Sequence, residues 1–313
     1  MTFLIWLGMI GLIVLYTFQS LFTKLYTDKY PGDPAMASSV LTVVSGLSVV
    51  LITFFCFSSC RFDFNVWSIL IGVLNAIALY SYNYFIVKAS SSGPYSIVMM
   101  FNLSGGIIIP IVASLIMGWD SAWSTPFLSI LNATSIFVII ASVYMVSRKN
   151  GDEESEKGVS PGFIFSCFGL ALSNGAYGLF LTLQQQSPLA GAEANRDEMV
   201  IVTFLVAALL AFITGTFKAK REFLSCFRQT KASLVFLIVT SLAFALAINV
   251  LVILLPYFDT TIFYTIDNSS VLIMSVLISA IFFKEKLSRL NVIGIILMCT
   301  ALVSMNLLPA IVG

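Results

Sequence analysis

The sequence of 313 residues contains no histidine, and only 10% of its residues are charged. The absence of histidine excludes the usual zinc sites and the serine–histidine hydrolases. The five cysteines are an odd number without regular spacing, so they predict buried thiols and no disulfide framework. A net charge of +1 provides no basic surface for nucleic acid. We therefore expect no enzyme activity, no metal, no cofactor and no nucleic-acid partner.

Hydrophobic residues make up 59% of the chain, and its mean hydropathy is +1.00. A soluble domain has about 25% charged residues, far more than this chain has. A helix that spans a bilayer needs about 20 apolar residues, and the sequence has ten such runs. This predicts an all-α integral membrane protein with ten transmembrane helices, in contact with the lipid bilayer of the cell membrane. The runs are 3–23, 36–57, 66–87, 94–117, 127–147, 161–184, 199–217, 232–255, 259–283 and 288–308.

A charged connector divides the chain into two halves. Residues 148–160 are hydrophilic, and they separate a first group of five spans (1–147) from a second group (161–313). Connectors that follow odd-numbered spans carry 14 of the 16 lysines and arginines. The positive-inside rule makes those connectors cytoplasmic and places both termini outside. Since each half has an odd number of spans, we predict two inverted five-helix repeats joined by a cytoplasmic linker.

The two halves show weak internal similarity. At an offset of 165 residues Asn102 lies opposite Asp267, and at a slightly smaller offset Tyr16 lies opposite Asn174. Inverted repeats are typical of secondary transporters, in which the substrate site lies near the middle of the membrane between the repeats.

The end of the ninth span and the tenth span resemble a known family. Residues 281–288 (IFFKEKLS) lead into an apolar stretch with a glycine at Gly294. This segment resembles the EamA-type branch of the drug/metabolite transporter superfamily, in which an acidic residue, here Glu285, precedes a glycine-bearing tenth span. The resemblance implies a ten-helix membrane transporter of small metabolites. The first half departs from the family pattern at Asp120, Ser124, Thr125 and Pro126.

Asp267 is the main candidate for a functional side chain. It interrupts the ninth apolar run near its middle, where an ionised carboxylate costs about 3 kcal/mol unless something polar compensates it. Burial disfavours the ionised form of a carboxyl group, so we hypothesise proton exchange coupled to solute movement. The alternative is a protonated carboxyl that donates a hydrogen bond to a carbonyl on span three or four.

Other polar side chains recur at helical spacing within the spans, as the lining of a wet cavity requires. Each of them could instead hydrogen-bond a neighbouring helix, for about 0.6 kcal/mol. We expect the faces to converge on one cavity. With Asp267, the predicted substrate-binding residues are Tyr16, Gln19, Tyr80, Asn83, Tyr84, Asn102, Asn174, Tyr177, Asn249, Tyr264 and Ser270.

These side chains favour a small neutral, zwitterionic or cationic solute such as an amino acid, an amine or a drug-like molecule. Multiply charged anions would need cationic partners, and no lysine or arginine lies clearly inside a span. Tyrosine rings beside a carboxylate could also hold an ammonium group. We predict a secondary transporter that works by alternating access. A flippase for a lipid-linked molecule and a non-transporting receptor or assembly subunit are the alternatives.

Spans five and ten have few strongly polar groups apart from Asn132. We therefore expect them to pack away from the transport pathway, where they could form a homodimer contact.

Overall fold

The computed structural model describes residues 2–58, 61–117, 125–147, 160–186, 195–219, 226–227, 233–258, 260–284 and 289–312. These residues form ten α-helices of 19 residues or more and contain no strand, so the all-α prediction is confirmed. The helices are α1 (Thr2–Lys29), α2 (Pro34–Ile52), α3 (Val66–Ser92), α4 (Tyr95–Met117), α5 (Pro126–Ser147), α6 (Pro161–Gln186), α7 (Asn195–Ala219), α8 (Leu234–Leu254), α9 (Thr260–Ile278) and α10 (Arg289–Val312).

Local sequence determines where several helices begin. Asp33 accepts a hydrogen bond from the Ala35 N–H, and Pro34 occupies the first turn of α2. Asn65 does the same for α3 by accepting from the Ser68 N–H. Such side chains satisfy N–H groups that have no partner within the helix. The helix starts therefore lie within a few residues of the predicted ones.

The first helix is longer than the apolar run predicts. It continues past residue 23 to Lys29, because its polar last turns find partners. Lys24 forms a salt bridge of 3.0 Å with Asp28 and donates a hydrogen bond of 2.6 Å to the carbonyl of Ser90 on α3. The helices α2 and α9 also continue, as short π-helical segments at Thr53–Phe57 and Ser279–Phe283.

Eight of the described helices are long and apolar enough to cross a membrane: α1 to α4 and α6 to α9. The apolar stretches of α5 and α10 are shorter, Pro126–Ser142 and Val292–Met305. Many large apolar side chains lie on the outer surface, for example Phe217, which is 80% exposed. Such a surface is stable in lipid and unfavourable in water, so the chain is an all-α membrane protein.

Helices of the first half pack mainly on helices of the second half. The cross-contacts include α1 with α8, α3 with α6, α2 with α7 and α4 with α9. If each helix is replaced by the helix five places along the chain, the α1–α8 contact becomes α6–α3, and the structure contains that contact too. In the same way the α1–α9 contact becomes α6–α4, which is also present. The helices α5 and α10 pack on each other and on α4 and α9.

Small residues allow the closest of these approaches. A Cβ atom added to Gly105 on α4 would lie 2.0 Å from the carbonyl oxygen of Ala171 on α6, and one added to Gly175 would lie 2.6 Å from the carbonyl oxygen of Gly105. In membranes such small residues let helix backbones come together where lipid gives no hydrophobic drive. The α4–α6 contact forms one wall of the cavity described below.

Some predictions fall outside the described residues. They concern the linker at 148–159 and the family-pattern positions Asp120, Ser124 and Glu285.

Candidate functional site

A cavity lies among six helices, α1, α3, α4, α6, α8 and α9. It offers about 70 Å³ to the centres of water-sized molecules, which is room for several waters or a small solute. No residue of α2, α5, α7 or α10 is among those found to line it. Its lining consists of Tyr16, Gln19, Ser20, Leu79, Tyr82, Met99, Asn102, Leu103, Gly106, Asn174, Tyr177, Gly178, Leu181, Phe244, Leu251, Tyr264, Asp267, Asn268 and Val271.

Three polar atoms in this lining are buried without a hydrogen-bond partner in the described part of the chain. They are the Oδ1 atom of Asp267, the Oδ1 atom of Asn102 and the hydroxyl of Tyr177. They come from three different helices, α9, α4 and α6. A buried polar group without a partner costs about 1–3 kcal/mol. The cavity is therefore built to hold something polar, either water or a solute.

Four tyrosines, Tyr16, Tyr82, Tyr177 and Tyr264, line the same cavity as the Asp267 carboxyl group. The hydroxyls of Tyr16 and Tyr264 are the ones that lie near this carboxyl. No lysine or arginine is among the residues found to line the cavity. Because aromatic faces and a carboxyl group both attract positive charge, the cavity is suited to a cation and unsuited to an anion.

The amide side chains are held in place by neighbouring groups. The Nδ2 group of Asn174 donates a hydrogen bond of 2.8 Å to the carbonyl of Asn102. The side chains of Asn102 and Gln19 face the hydroxyl of Tyr82. A Cβ atom at Gly106 would lie 2.7 Å from the Nδ2 atom of Asn174, so the glycine leaves space for this amide. Side chains fixed in this way are preorganised, as those of a binding site need to be.

Tyrosine hydrogen bonds link helices at two positions beside the cavity. The hydroxyl of Tyr95 on α4 lies 2.7 Å from the Oγ atom of Ser20 on α1, and it also donates to Ser275 on α9 at 3.4 Å. The hydroxyl of Tyr264 on α9 donates to the carbonyl of Gly178 on α6 at 3.2 Å. If each helix is replaced by the helix five places along the chain, the pair α4–α1 becomes the pair α9–α6, which the second bond joins.

The structure brings seven of the predicted site residues together. Asp267 and six others all line the cavity: Tyr16, Gln19, Asn102, Asn174, Tyr177 and Tyr264.

The other predicted site residues are not part of this lining. Tyr80 donates a hydrogen bond of 3.0 Å to Thr214 on α7. Asn249 exchanges hydrogen bonds with Thr53 at the end of α2. The ring of Tyr84 lies near two ammonium groups, at 5.4 Å from Lys88 and 5.6 Å from Lys218. Asn83 and Ser270 are not found in the lining either.

Sequence reasoning missed Tyr82, and it did not select Ser20 or Asn268 as site residues. Tyr82 lies between Tyr80 and Tyr84 in the sequence. Because successive residues of a helix are rotated by about 100°, its side chain points to a different face from theirs. A signal was present, since Ser68, Asn75 and Tyr82 recur every seven residues.

Comparisons with known proteins add information on the fold alone. No protein-family model matches the chain, and no curated protein matches it. One solved structure, described as "Crystal structure of protein", superposes with a TM-score of 0.56 at 14% identity, and the match covers 96% of this chain and 97% of that chain. A protein with this overall helical arrangement has therefore been solved, and the match extends over nearly the whole of both chains.

Proposed function

We propose that the protein is a secondary transporter that carries a small neutral, zwitterionic or cationic solute across the cell membrane by alternating access. The observation that carries this proposal is the buried cavity with Asp267, Asn102 and Tyr177, each of which has a polar atom without a hydrogen-bond partner among the described residues. A polar cavity deep in a membrane bundle is costly to maintain, and such sites mark solute or ion pathways.

The arrangement of the helices supports two inverted halves. Along the α1–α8 contact, Gly8 lies against Leu254, whereas Thr23 bonds to Thr240, so the two helices are antiparallel. An odd-numbered and an even-numbered span must have this relation if all ten helices cross the membrane in turn. The cavity lining comes from α1, α3 and α4 and from their counterparts α6, α8 and α9. A site shared in this way is the usual position in transporters built from inverted repeats.

An amine is the preferred solute class. An ammonium group can sit against tyrosine faces and pair with the Asp267 carboxylate, whereas a phosphate or dicarboxylate would meet no cationic partner among the lining residues. A single carboxyl group can hold either a proton or the ammonium group, but it cannot pair fully with both. Proton release on one side and amine binding on the same side would therefore be coupled.

The tyrosine contacts at Tyr95 and Tyr264 supply the two closures that alternating access requires. One holds α4 to α1, and the other holds α9 to α6. Breaking one while the other persists would open the cavity to a single side of the membrane.

The test uses purified protein in proteoliposomes and a set of radiolabelled amines and amino acids, with an imposed proton gradient. We expect at least one amine to accumulate in response to the gradient. Asp267→Asn should reduce that uptake by about tenfold or more, because the loss of one buried charge pair exceeds about 1.4 kcal/mol. The matched control is Asp28→Asn, which removes an acidic group that lies outside the cavity, is 41% exposed and pairs with Lys24 at i,i+4; such pairs near the surface contribute little. Wild-type uptake by the Asp267→Asn variant would refute the proposal.

A further inference from the structure

A second buried acidic group lies away from the cavity. Glu198, in the first turn of α7, is 2% exposed, and neither carboxyl oxygen has a hydrogen-bond partner in the described part of the chain. The carboxyl faces the backbone of Asp63 and Asn65 just before α3, but the contacts do not reach hydrogen-bond geometry. Among the described residues, Asp63 is the charged group that faces Glu198, and Arg196 and Asp197 precede it directly in the sequence. The cavity mechanism proposed above does not use this residue.

A polar stripe on α3 leads from this region toward the cavity. Ser68, Asn75 and Tyr82 are spaced by seven residues, two helical turns, and so share one face. Between Ser68 and Asn75, Gly72 packs on α7: a Cβ atom there would lie 3.1 Å from the carbonyl oxygen of Met199, the residue after Glu198. The stripe therefore begins where Glu198 lies, and its other end, Tyr82, lines the cavity.

The middle of this stripe holds an unusual group. Asn75 is 0% exposed, and both its amide nitrogen and its amide oxygen lack a hydrogen-bond partner in the described part of the chain. An amide with neither half satisfied inside a membrane bundle is costly. Buried waters commonly satisfy such groups, each water bonding to about three polar atoms.

Polar side chains of α6 extend this stripe. Ser68, Asn75 and Tyr82 on α3, with Gln184 and Tyr177 on α6, form what we call the α3–α6 line. Gln184 donates a hydrogen bond of 2.8 Å to the Oγ atom of Ser68, and its Oε1 atom has no partner among the described residues. Tyr177, seven residues earlier on the same helical face, lines the cavity and also has an unsatisfied hydroxyl. Within the described part of the chain, atoms without a hydrogen-bond partner thus occur at Glu198, Gln184, Asn75 and Tyr177 and at Asp267 itself.

We propose that Glu198 is a proton-binding site that exchanges protons with Asp267 through water held along the α3–α6 line. The Glu198 carboxyl takes a proton from the aqueous phase at its end of the bundle and passes it to the first bound water. Each water then passes a proton on, until one reaches the Asp267 carboxylate and Glu198 is left ionised. Under the predicted orientation this end faces the outside of the cell. The inference rests on the proposed function only in that the proton that reaches Asp267 is used for transport.

The test measures the protonation of Asp267 without any solute. Purified protein in nanodiscs is subjected to a rapid pH drop, and the carboxyl C=O stretching band is followed by time-resolved infrared spectroscopy. The band of Asp267 is assigned by its loss in Asp267→Asn. We expect Glu198→Gln to slow the appearance of this band by about tenfold or more and to leave its final amplitude unchanged. Asn75→Leu, which interrupts the line and leaves both carboxyls in place, should slow it in the same way.

Two controls separate this role from a structural one. Asp197→Asn removes the neighbouring acidic group, and Asn249→Leu removes a buried amide that bonds Thr53 and is not part of the α3–α6 line. In both variants Asp267 should be protonated at the wild-type rate. Equal rates in wild type, Glu198→Gln and Asn75→Leu would overturn the proposal. So would a fall in the final amplitude together with the rate, because that result marks Glu198 as a group that only maintains the fold. Since no solute is present, none of these results depends on whether an amine is transported.

Discussion

The backbone contact between α4 and α6 predicts a large effect of a single methyl group. A Cβ atom at position 105 would lie 2.0 Å from the carbonyl oxygen of Ala171, where real contacts keep at least 3.0 Å. Gly105→Ala must therefore push two backbones apart by about 1 Å, and overpacking of this kind costs about 1–3 kcal/mol. Because neither atom belongs to a flexible side chain, we expect about 3 kcal/mol, which at about 2 °C per kcal/mol lowers the apparent Tm by about 6 °C.

The assay is thermal unfolding in detergent, with Gly11→Ala as the matched control. Gly11 also lies within a helix, but an added Cβ atom meets nothing within 4 Å. Here alanine should gain helix propensity of about 1 kcal/mol at most, so the Tm should stay unchanged or rise slightly. Equal Tm values for Gly105→Ala and the wild type would refute the reasoning, as would equal losses in both variants. The separation should also pull Asn174 away from the carbonyl of Asn102 and weaken solute binding.

Two further predictions concern tyrosines. Tyr80→Phe should lower the free energy of unfolding by about 0.6 kcal/mol through the lost bond to Thr214 and leave amine affinity unchanged. Tyr177→Phe should weaken amine binding with little loss of stability, because its hydroxyl has no partner in the described chain. Thermal unfolding with and without amine measures both effects, and the reverse pattern would show that the cavity is wrongly assigned. Tyr95→Phe should release α4 from Ser20 and Ser275, so that a cysteine placed at Leu103 in a cysteine-free background reacts several-fold faster with an impermeant thiol reagent added from the cytoplasmic side; an unchanged rate would mean that this contact does not limit access.

The positions of the helices could be predicted because the length of an apolar run is set by the thickness of the bilayer. The predicted run 66–87 becomes Val66–Ser92, and 161–184 becomes Pro161–Gln186. The differences lie at the polar ends, where tertiary contacts decide. Lys24 extends α1 through its bonds to Asp28 and Ser90. The apolar run 3–23 contains no pattern that predicts a Ser90 carbonyl nearby.

The candidate site could be predicted less well, because a polar side chain inside a membrane has two ways to be satisfied. Asp267 is too costly to leave in lipid, and it does line the cavity. Tyr80 and Asn249 are less costly, and each pairs with a neighbouring helix, through Thr214 and Thr53. Which neighbour stands beside a given face depends on how the helices pack, and one sequence gives no direct information on that.

The two tyrosine closures differ in the chemical nature of their acceptors. Tyr95 is held by the side chains of Ser20 and Ser275, whereas Tyr264 is held by the main-chain oxygen of Gly178. A hydroxyl can be deleted or replaced by one mutation, while a main-chain oxygen is present whatever residue is encoded. Under the proposed mechanism, a substitution at Ser20 or Ser275 would change the lifetime of the state that the Tyr95 contact closes, whereas the Gly178 oxygen would remain available to Tyr264 in every sequence variant.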